Sequence, residues 1–281
     1  MKVPVSVIIP ILNEEKNLPR ALNSVAWANE IFVVDSNSTD RSCAIAEERG
    51  AKVVQFQFKE PWPKKKNWAL EQLPFKNEWV FILDADEELL PDAEEEFHAI
   101  CSSTNSGFDG YFINRRFMFM GKWLQHAYYP NWNLRLFRHS RGRYERLSLG
   151  DTHSGDNEVH EHICLKGKAG RLKTEMNHYA FPDVYTFVEK HNRYSNWEAQ
   201  VSMEALEKKD VNLNDSIICL KRKLKTLSRN LPLRPLLRFL YVYVIQRGFL
   251  DGLEGYYFAR LHGIYEFLSI CKTYELRNNQ R

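Results

Sequence analysis

The stretch Trp79-Val80-Phe81-Ile82-Leu83-Asp84-Ala85-Asp86-Glu87 decides the fold class. Its unbroken apolar run reads as a strand buried on both faces, and acids begin where the run stops. The same design recurs upstream. Val3 to Pro10 is β-branched and apolar and leads into Asn13-Glu14, while Glu30-Ile31-Phe32-Val33-Val34 leads into Asp35. Lys52 to Phe56 is a further strand. Segments of helical spacing lie between them. Asn17 to Ala28 carries Leu18, Leu22 and Val25, Ser38-Thr39-Asp40 opens a helix with a capping hydroxyl and an early acid, and Pro91-Asp92 starts another. This alternation predicts an α/β fold, a mostly parallel sheet flanked by helices. In such sheets ligands bind beyond the carboxyl ends of the strands, where Asp35 and Asp84 stand.

After Cys101 the rhythm changes. Phe108 to Phe119 and Trp132 to Arg138 read as strands, Arg141 to Gly170 is polar, and helices dominate from Pro182. Val184, Phe187, Val188, His191, Tyr194 and Trp197 recur at helical spacing until Lys208-Lys209-Asp210 reads as a break. The chain has 281 residues, 44% of them hydrophobic and 27% charged, which excludes disorder and low-complexity sequence. A net charge of +3 is too small to imply nucleic acid, but it is unevenly spread. Eight cations and no acid lie between Ser216 and Leu250, mixed with leucines and aromatics. That composition predicts a C-terminal amphipathic helical tail that lies in a bilayer interface; the alternative is an ordinary helical subdomain with solvated arginines. The division expected is residues 1–215 as the catalytic domain and 216–281 as the tail.

Five scattered cysteines (Cys43, Cys101, Cys164, Cys219, Cys271) fit a reducing compartment better than a disulfide framework. The apolar N-terminal run is broken by Pro4 and Pro10 and reads as a strand rather than a leader. Phe239 to Ile245 falls far short of the ~20 apolar residues a spanning helix needs. The expected location is therefore cytoplasmic, peripheral on the inner face of the cytoplasmic membrane.

The Asp84-Ala85-Asp86 pair offers hard oxygens suited to Mg²⁺ or Mn²⁺; the competing reading is a solvated acidic turn before a helix. Asp35 ends a strand where a carboxylate can accept a hydrogen bond from a base or ribose, and a well-capped turn is the plainer account. Asn13 and Glu14 can bond a nucleoside or simply start a helix. Lys64-Lys65-Lys66 could equally be a solvated surface run, the commoner fate of lysine triplets, which leaves only Lys66 beside Asn67 as a candidate. His153, His160 and His162 suggest zinc, but no H-E-x-x-H or cysteine partner accompanies them.

Together these motifs resemble an inverting family 2 glycosyltransferase of GT-A nucleotide-sugar-binding fold. Val7-Ile8-Ile9-Pro10…Asn13-Glu14, Val33-Val34-Asp35-Ser36-x-Ser38-Thr39-Asp40 and Asp84-Ala85-Asp86-Glu87 match its signature in content and order. Asn37 stands where that family commonly has glycine. Arg135-Leu136-Phe137-Arg138, Val159-His160-Glu161, His178-Tyr179 and Gly248-Phe249-Leu250-Asp251-Gly252 resemble the branch that adds glucose or heptose to the lipopolysaccharide inner core. The resemblance implies that Pro10, Asn13, Glu14, Asp35 and Asp84 line the nucleoside, and that Lys66 and Asn67 meet the donor diphosphate. It further implies metal bound by Asp86, with His178 a further ligand by analogy and a buried imidazole as its alternative. Glu161 matches the family acid and is the expected general base, with a plain surface glutamate as the alternative reading and Asp151 and Asp156 as spares.

The activity so implied is inverting transfer of a hexose, glucose from UDP-glucose, to a lipid-linked saccharide such as the lipopolysaccharide core. The implied partners are the nucleotide sugar, that acceptor and the inner-leaflet surface. A sugar-phosphate nucleotidyltransferase is the rival enzyme, but its glycine-rich first loop is missing at Pro10-Ile11-Leu12-Asn13-Glu14. A non-catalytic membrane-associated nucleotide-binding adaptor is the rival outside enzymes, and it gives no reason for three aspartates at one sheet edge.

Overall fold

The computed structural model describes residues 2–58, 62–103, 107–145, 162–207 and 233–279. Its strands, in chain order, are β1 Val3–Ile11, β2 Ala28–Asp35, β3 Lys52–Gln55, β4 Trp79–Ile82, β5 Glu87–Leu89, β6 Gly110–Phe119, β7 Lys122–Trp123, β8 Trp132–Arg138, β9 Gly142–Tyr144, β10 Ile163–Leu165 and β11 Ala169–Phe181. Helices α1 Leu18–Ser24, α2 Ser42–Glu48, α3 Lys65–Gln72 and α4 Ala93–Cys101 interrupt them, and α5 Val184–Glu207, α6 Arg234–Leu240 and α7 Gly252–Asn279 follow. A π-helical turn, Tyr241–Ile245, and a 3₁₀ turn, Gly248–Asp251, separate α6 from α7.

The chain divides into two compact units, Met1–Met118 with Pro130–Ala180, and Phe119–Tyr129 with Phe181–Arg281. Helix α5, counted by its sequence position with the catalytic domain, lies in the second unit. The boundary expected near residue 215 and the break expected at 208–210 lie outside the described residues.

The first unit is built on a sheet of order β3-β2-β1-β4-β8-β6-β11-β5. β3, β2, β1 and β4 run parallel, as the alternating pattern requires, and the sheet continues with β8 antiparallel to β4 and to β6. The alternation of side chains along β1 explains its all-apolar sequence. Val5, Val7, Ile9 and Ile11 pack toward α1 and α4 with Leu18, Leu22 and Phe97, while Ile8 joins Phe32, Ile82 and Leu70 of α3 on the opposite face. Pro10 sits in β1 opposite Val34, two residues past the last β1–β4 pair, Ile8 with Ile82. Its missing N–H therefore breaks no ladder bond to β4.

Two expected boundaries shift for local reasons. The second helix begins at Ser42 rather than Ser38, because residues 38–41 form hydrogen bonds with the first loop and Asp40 accepts the Ser42 N–H at 3.0 Å. The decisive strand stops at Ile82, and Leu83 to Asp86 turns into the short β5, which pairs antiparallel with β11.

The second unit packs α5 against α7 around Phe119, Phe187 and Phe258, with His191 and His262 inside the cluster. Among the described residues no helix is long and apolar enough to cross a membrane. Cys43, Cys101, Cys164 and Cys271 form no disulfide with one another; Cys219 lies outside the described residues.

Candidate active site

The carboxyl ends of β1 and β2 are tied into one rim. Asn13 adopts φ 57°, a left-handed conformation that asparagine tolerates, and its Oδ1 accepts the Thr39 N–H at 2.8 Å. Its own N–H donates to Ser38 Oγ, and the Glu14 N–H donates to Ser42 Oγ, both at 2.8 Å. Asn37, at φ 61°, occupies the second left-handed position, which accounts for the glycine common there.

Asp35 is fully buried at the end of β2 and accepts the N–H and hydroxyl of Ser38. Burial opposes its ionisation, but those bonds and one from Gln55 outweigh it and hold the pKa below the usual carboxylate value. The Asp35 backbone oxygen accepts the Phe56 N–H at 2.7 Å, so the rim continues into a cleft of about 330 Å³ lined by Gln55, Phe56, Gln57, Trp62, Pro63 and Trp68.

At the end of β4 the structure assembles a buried charge network. Asp84 lies 2.8 Å from Lys66 Nζ and 2.7 Å from Arg135 Nη2. The same Arg135 nitrogen donates to Glu87 at 2.8 Å, and Arg115 reaches Glu87 at 3.2 Å. Glu87 also accepts the Asp84 N–H at 2.9 Å, closing the turn. Burial works against every charge here, yet opposite charges prevail: Arg135 and Lys66 hold Asp84 well below the carboxylate range, and Asp84 raises Lys66 in return. Asp84, Lys66 and Arg135 therefore stay ionised at neutral pH.

Three of those residues, Glu87, Arg115 and Arg135, have no role assigned from sequence, although Glu87 and Arg135 stand in the family-like motifs. Glu87 follows the acidic turn that could have been solvated, but it is fully buried. Arg115 and Arg135 lie in largely apolar strands that each carry one further arginine, Arg116 and Arg138, and a charge interrupting such a strand is the signal that points to them. The lysine triplet needs correction too. Lys64, Lys65 and Lys66 are all buried, with Lys65 Nζ donating to the Ile11 carbonyl at 2.8 Å, so the run is not a solvated surface. Asn67 pairs its carboxamide with both backbone groups of Tyr144 at 3.0 Å, which fixes β9 beside α3.

Asp86 and His178 come together through the β5–β11 pairing, which sets His178 opposite Glu87, while the Tyr179 N–H donates to the Asp86 carbonyl at 2.8 Å. His178 Nε2 stands 3.6 Å from Asp86 Oδ1, too far for a hydrogen bond but suited to two ligands of one ion. His178 Nδ1 is buried and has no hydrogen-bond partner among the described residues. Among the described residues no group of three or more His, Cys, Asp or Glu side chains is placed to hold a metal. This pair therefore fits a cation only if a ligand or water completes the shell, the arrangement Mg²⁺ favours with substrate phosphates. Glu161, Asp151, Asp156, His153 and His160 lie outside the described residues.

A family model for "Glycosyl transferase family 2" matches residues 6–156, a span containing the whole rim. The chain belongs to glycosyl transferase family 2. The transferase is 28% identical over 98% of its length to a lipopolysaccharide core biosynthesis glycosyltransferase, LpsC, of Rhizobium meliloti, covering 93% of that protein. It is 30% identical over 96% of its length to an uncharacterized glycosyltransferase of Rickettsia conorii, covering 90% of it. Among solved structures it resembles a Pyrobaculum calidifontis mannosyltransferase in complex with GDP-mannose and Mn²⁺, with TM-score 0.54, 15% identity and coverage of 97% and 87% of the two chains. That likeness establishes the GT-A fold of the transferase. Neither rival from the sequence, nucleotidyltransferase or adaptor, is favoured by these matches.

Proposed function

We propose that the transferase moves a hexose, glucose from UDP-glucose, onto a lipid-linked saccharide such as the lipopolysaccharide core, with inversion at the anomeric carbon. The observation that carries the reading is the joining of three devices at one sheet edge: the ionised Asp35, the Lys66–Asp84–Arg135 network and the Asp86–His178 pair. Asp35 offers an acceptor to an N–H of the base, and Asn13 and Glu14 shape the rim around the nucleoside. In this reading Pro10 and Asp84 complete that wall, Lys66 of α3 meets the diphosphate, and Asn67, bonded to Tyr144, lies beside it.

Asp86 and His178 would hold Mg²⁺ or Mn²⁺, which supplies positive charge to the departing diphosphate. The complex of the Pyrobaculum mannosyltransferase with a nucleotide sugar and Mn²⁺ supports the same class of donor and ion here. Lys66, kept cationic by Asp84, adds fixed charge aimed at the same leaving group. Glu161 is the proposed base for the acceptor hydroxyl. The name of the Rhizobium relative and the basic, apolar C-terminal segment support a lipid-linked acceptor met at the inner-leaflet surface.

The test is calorimetric titration of UDP into the wild type and Asp35→Ala, with and without Mn²⁺. Binding that needs Mn²⁺ and is lost in Asp35→Ala supports the reading. Binding of GDP or CDP in place of UDP would transfer the site to another donor, and binding of none of them would overturn it.

A further inference from the structure

The run Leu233 to Leu253 has a feature the donor site does not use. Leu237, Tyr241, Ile245, Phe249, Leu250 and Leu253 are all exposed, Ile245 at 69%, Leu250 at 55% and Leu253 at 67%. Exposed apolar side chains this dense are unusual on a free protein surface, and such patches mark sites of interaction. The backbone that carries them departs from α-helix. α6 passes into the π-helical turn, Arg247 takes φ 59°, and the 3₁₀ turn follows.

This irregular stretch is held firmly. The Asp251 carboxylate is buried and accepts the N–H groups of Gln125, His126 and Ala127 at 2.9, 3.0 and 2.8 Å, and Lys122 donates to its carbonyl at 2.8 Å. Gly255 lets the start of α7 close on the 3₁₀ turn, since a Cβ there would lie 2.0 Å from the Gly248 carbonyl oxygen. The motif Gly248-Phe249-Leu250-Asp251-Gly252 is thus a clasp: its acid and first glycine face inward while Phe249 and Leu250 face out.

We propose that the π-turn and the clasp form a rigid wedge that inserts into the interface of an anionic bilayer. Charge selects lipid over a protein partner. No acid occurs from Leu233 to Leu250, the first acid beyond it is the consumed Asp251, and Arg247 is exposed at the tip among the apolar side chains. Arg234 is paired with Glu198 and Glu266, but the exposed Arg247, set among apolar side chains and interfacial aromatics such as Tyr241 and Phe249, suits an anionic headgroup above acyl chains. The inference deepens the membrane part of the reading above by naming its surface, while the wedge itself needs no donor chemistry.

Co-sedimentation of the full chain with phosphatidylcholine–phosphatidylglycerol vesicles tests it, beside pure phosphatidylcholine vesicles. The wild type should bind the mixed vesicles, and an Ile245→Asp, Leu250→Asp double variant should bind them more than about tenfold less. Arg247→Glu should weaken binding to the mixed vesicles and leave the pure ones unchanged. If the double variant melts early, Ile245→Ser and Leu253→Ser give the same comparison at exposed positions. No wild-type binding to the mixed vesicles, or equal binding by the variants, overturns the wedge. A dimer dissolved by the double variant, without vesicle binding, overturns it in favour of a second copy. UDP titration of the same samples separates this outcome from failure of the donor site, since the substituted residues lie outside it.

Discussion

Arg135 is the residue on which the candidate site turns, because one guanidinium nitrogen neutralises both Asp84 and Glu87. Arg135→Met leaves the buried Glu87 and the partly buried Asp84 with reduced compensation and should cost roughly 3–5 kcal/mol in urea unfolding. Arg135→Lys should recover only part, since an ammonium lacks the planar fork. Asp86 and His178 make a separate prediction, because their side chains stand 3.6 Å from each other. Asp86→Ala or His178→Ala should weaken the Mn²⁺-dependent part of UDP binding by more than about tenfold in calorimetry. Unchanged Mn²⁺ dependence in both would remove the pair from the metal site. The acids at 84 and 86 were legible as a motif, but their different partners were not, because Lys66, Arg135 and His178 arrive from α3, β8 and β11.

Elements explain why expected boundaries moved. Strand β4 ends at Ile82 because the Asp84 N–H turns back to Glu87, and the resulting β5 is what recruits β11. A hydrophobic pattern reports burial, not a turn closed by a buried side chain, so this short strand had no signal in sequence. The clasp obeys a similar logic. Its glycine spacing is visible, but only the close approach of Gly255 to Gly248 shows that two backbones meet there. Gly255→Ala forces a Cβ into a carbonyl oxygen and should destabilise by about 1–3 kcal/mol or more, seen as a lowered Tm. An unaltered melting profile would show that the clasp yields without cost.

At the scale of the molecule, the second unit gives the chain an acid limit. His191 is stacked on Phe187 at 3.8 Å, and burial, opposed in part by its bond to the Phe187 carbonyl, lowers its pKa to about 4. Burial and then Arg238 lower His262 well below the ordinary histidine value. In the unfolded chain both titrate near ~6.5. The unfolded state therefore binds more protons below that pH, so stability is complete above it and falls as the pH drops toward about 4. His191 alone should account for roughly 2 kcal/mol of loss between pH 7 and pH 5. Urea unfolding at both values checks this, and His191→Phe should flatten the dependence.

The sequence by itself determined the parallel half of the sheet, since strands buried on both faces must be apolar throughout and each must be followed by a helix that covers them. It also placed Asp35, Asp84 and Asp86 at the edge where such strands end. Tertiary structure alone decided which charges meet. The Lys64–Lys66 run became buried, Glu87 became part of a network and His178 came to Asp86. Local pattern records whether a side chain faces water or core, whereas the partner of a buried charge is set by strand register between segments as distant as β5 and β11.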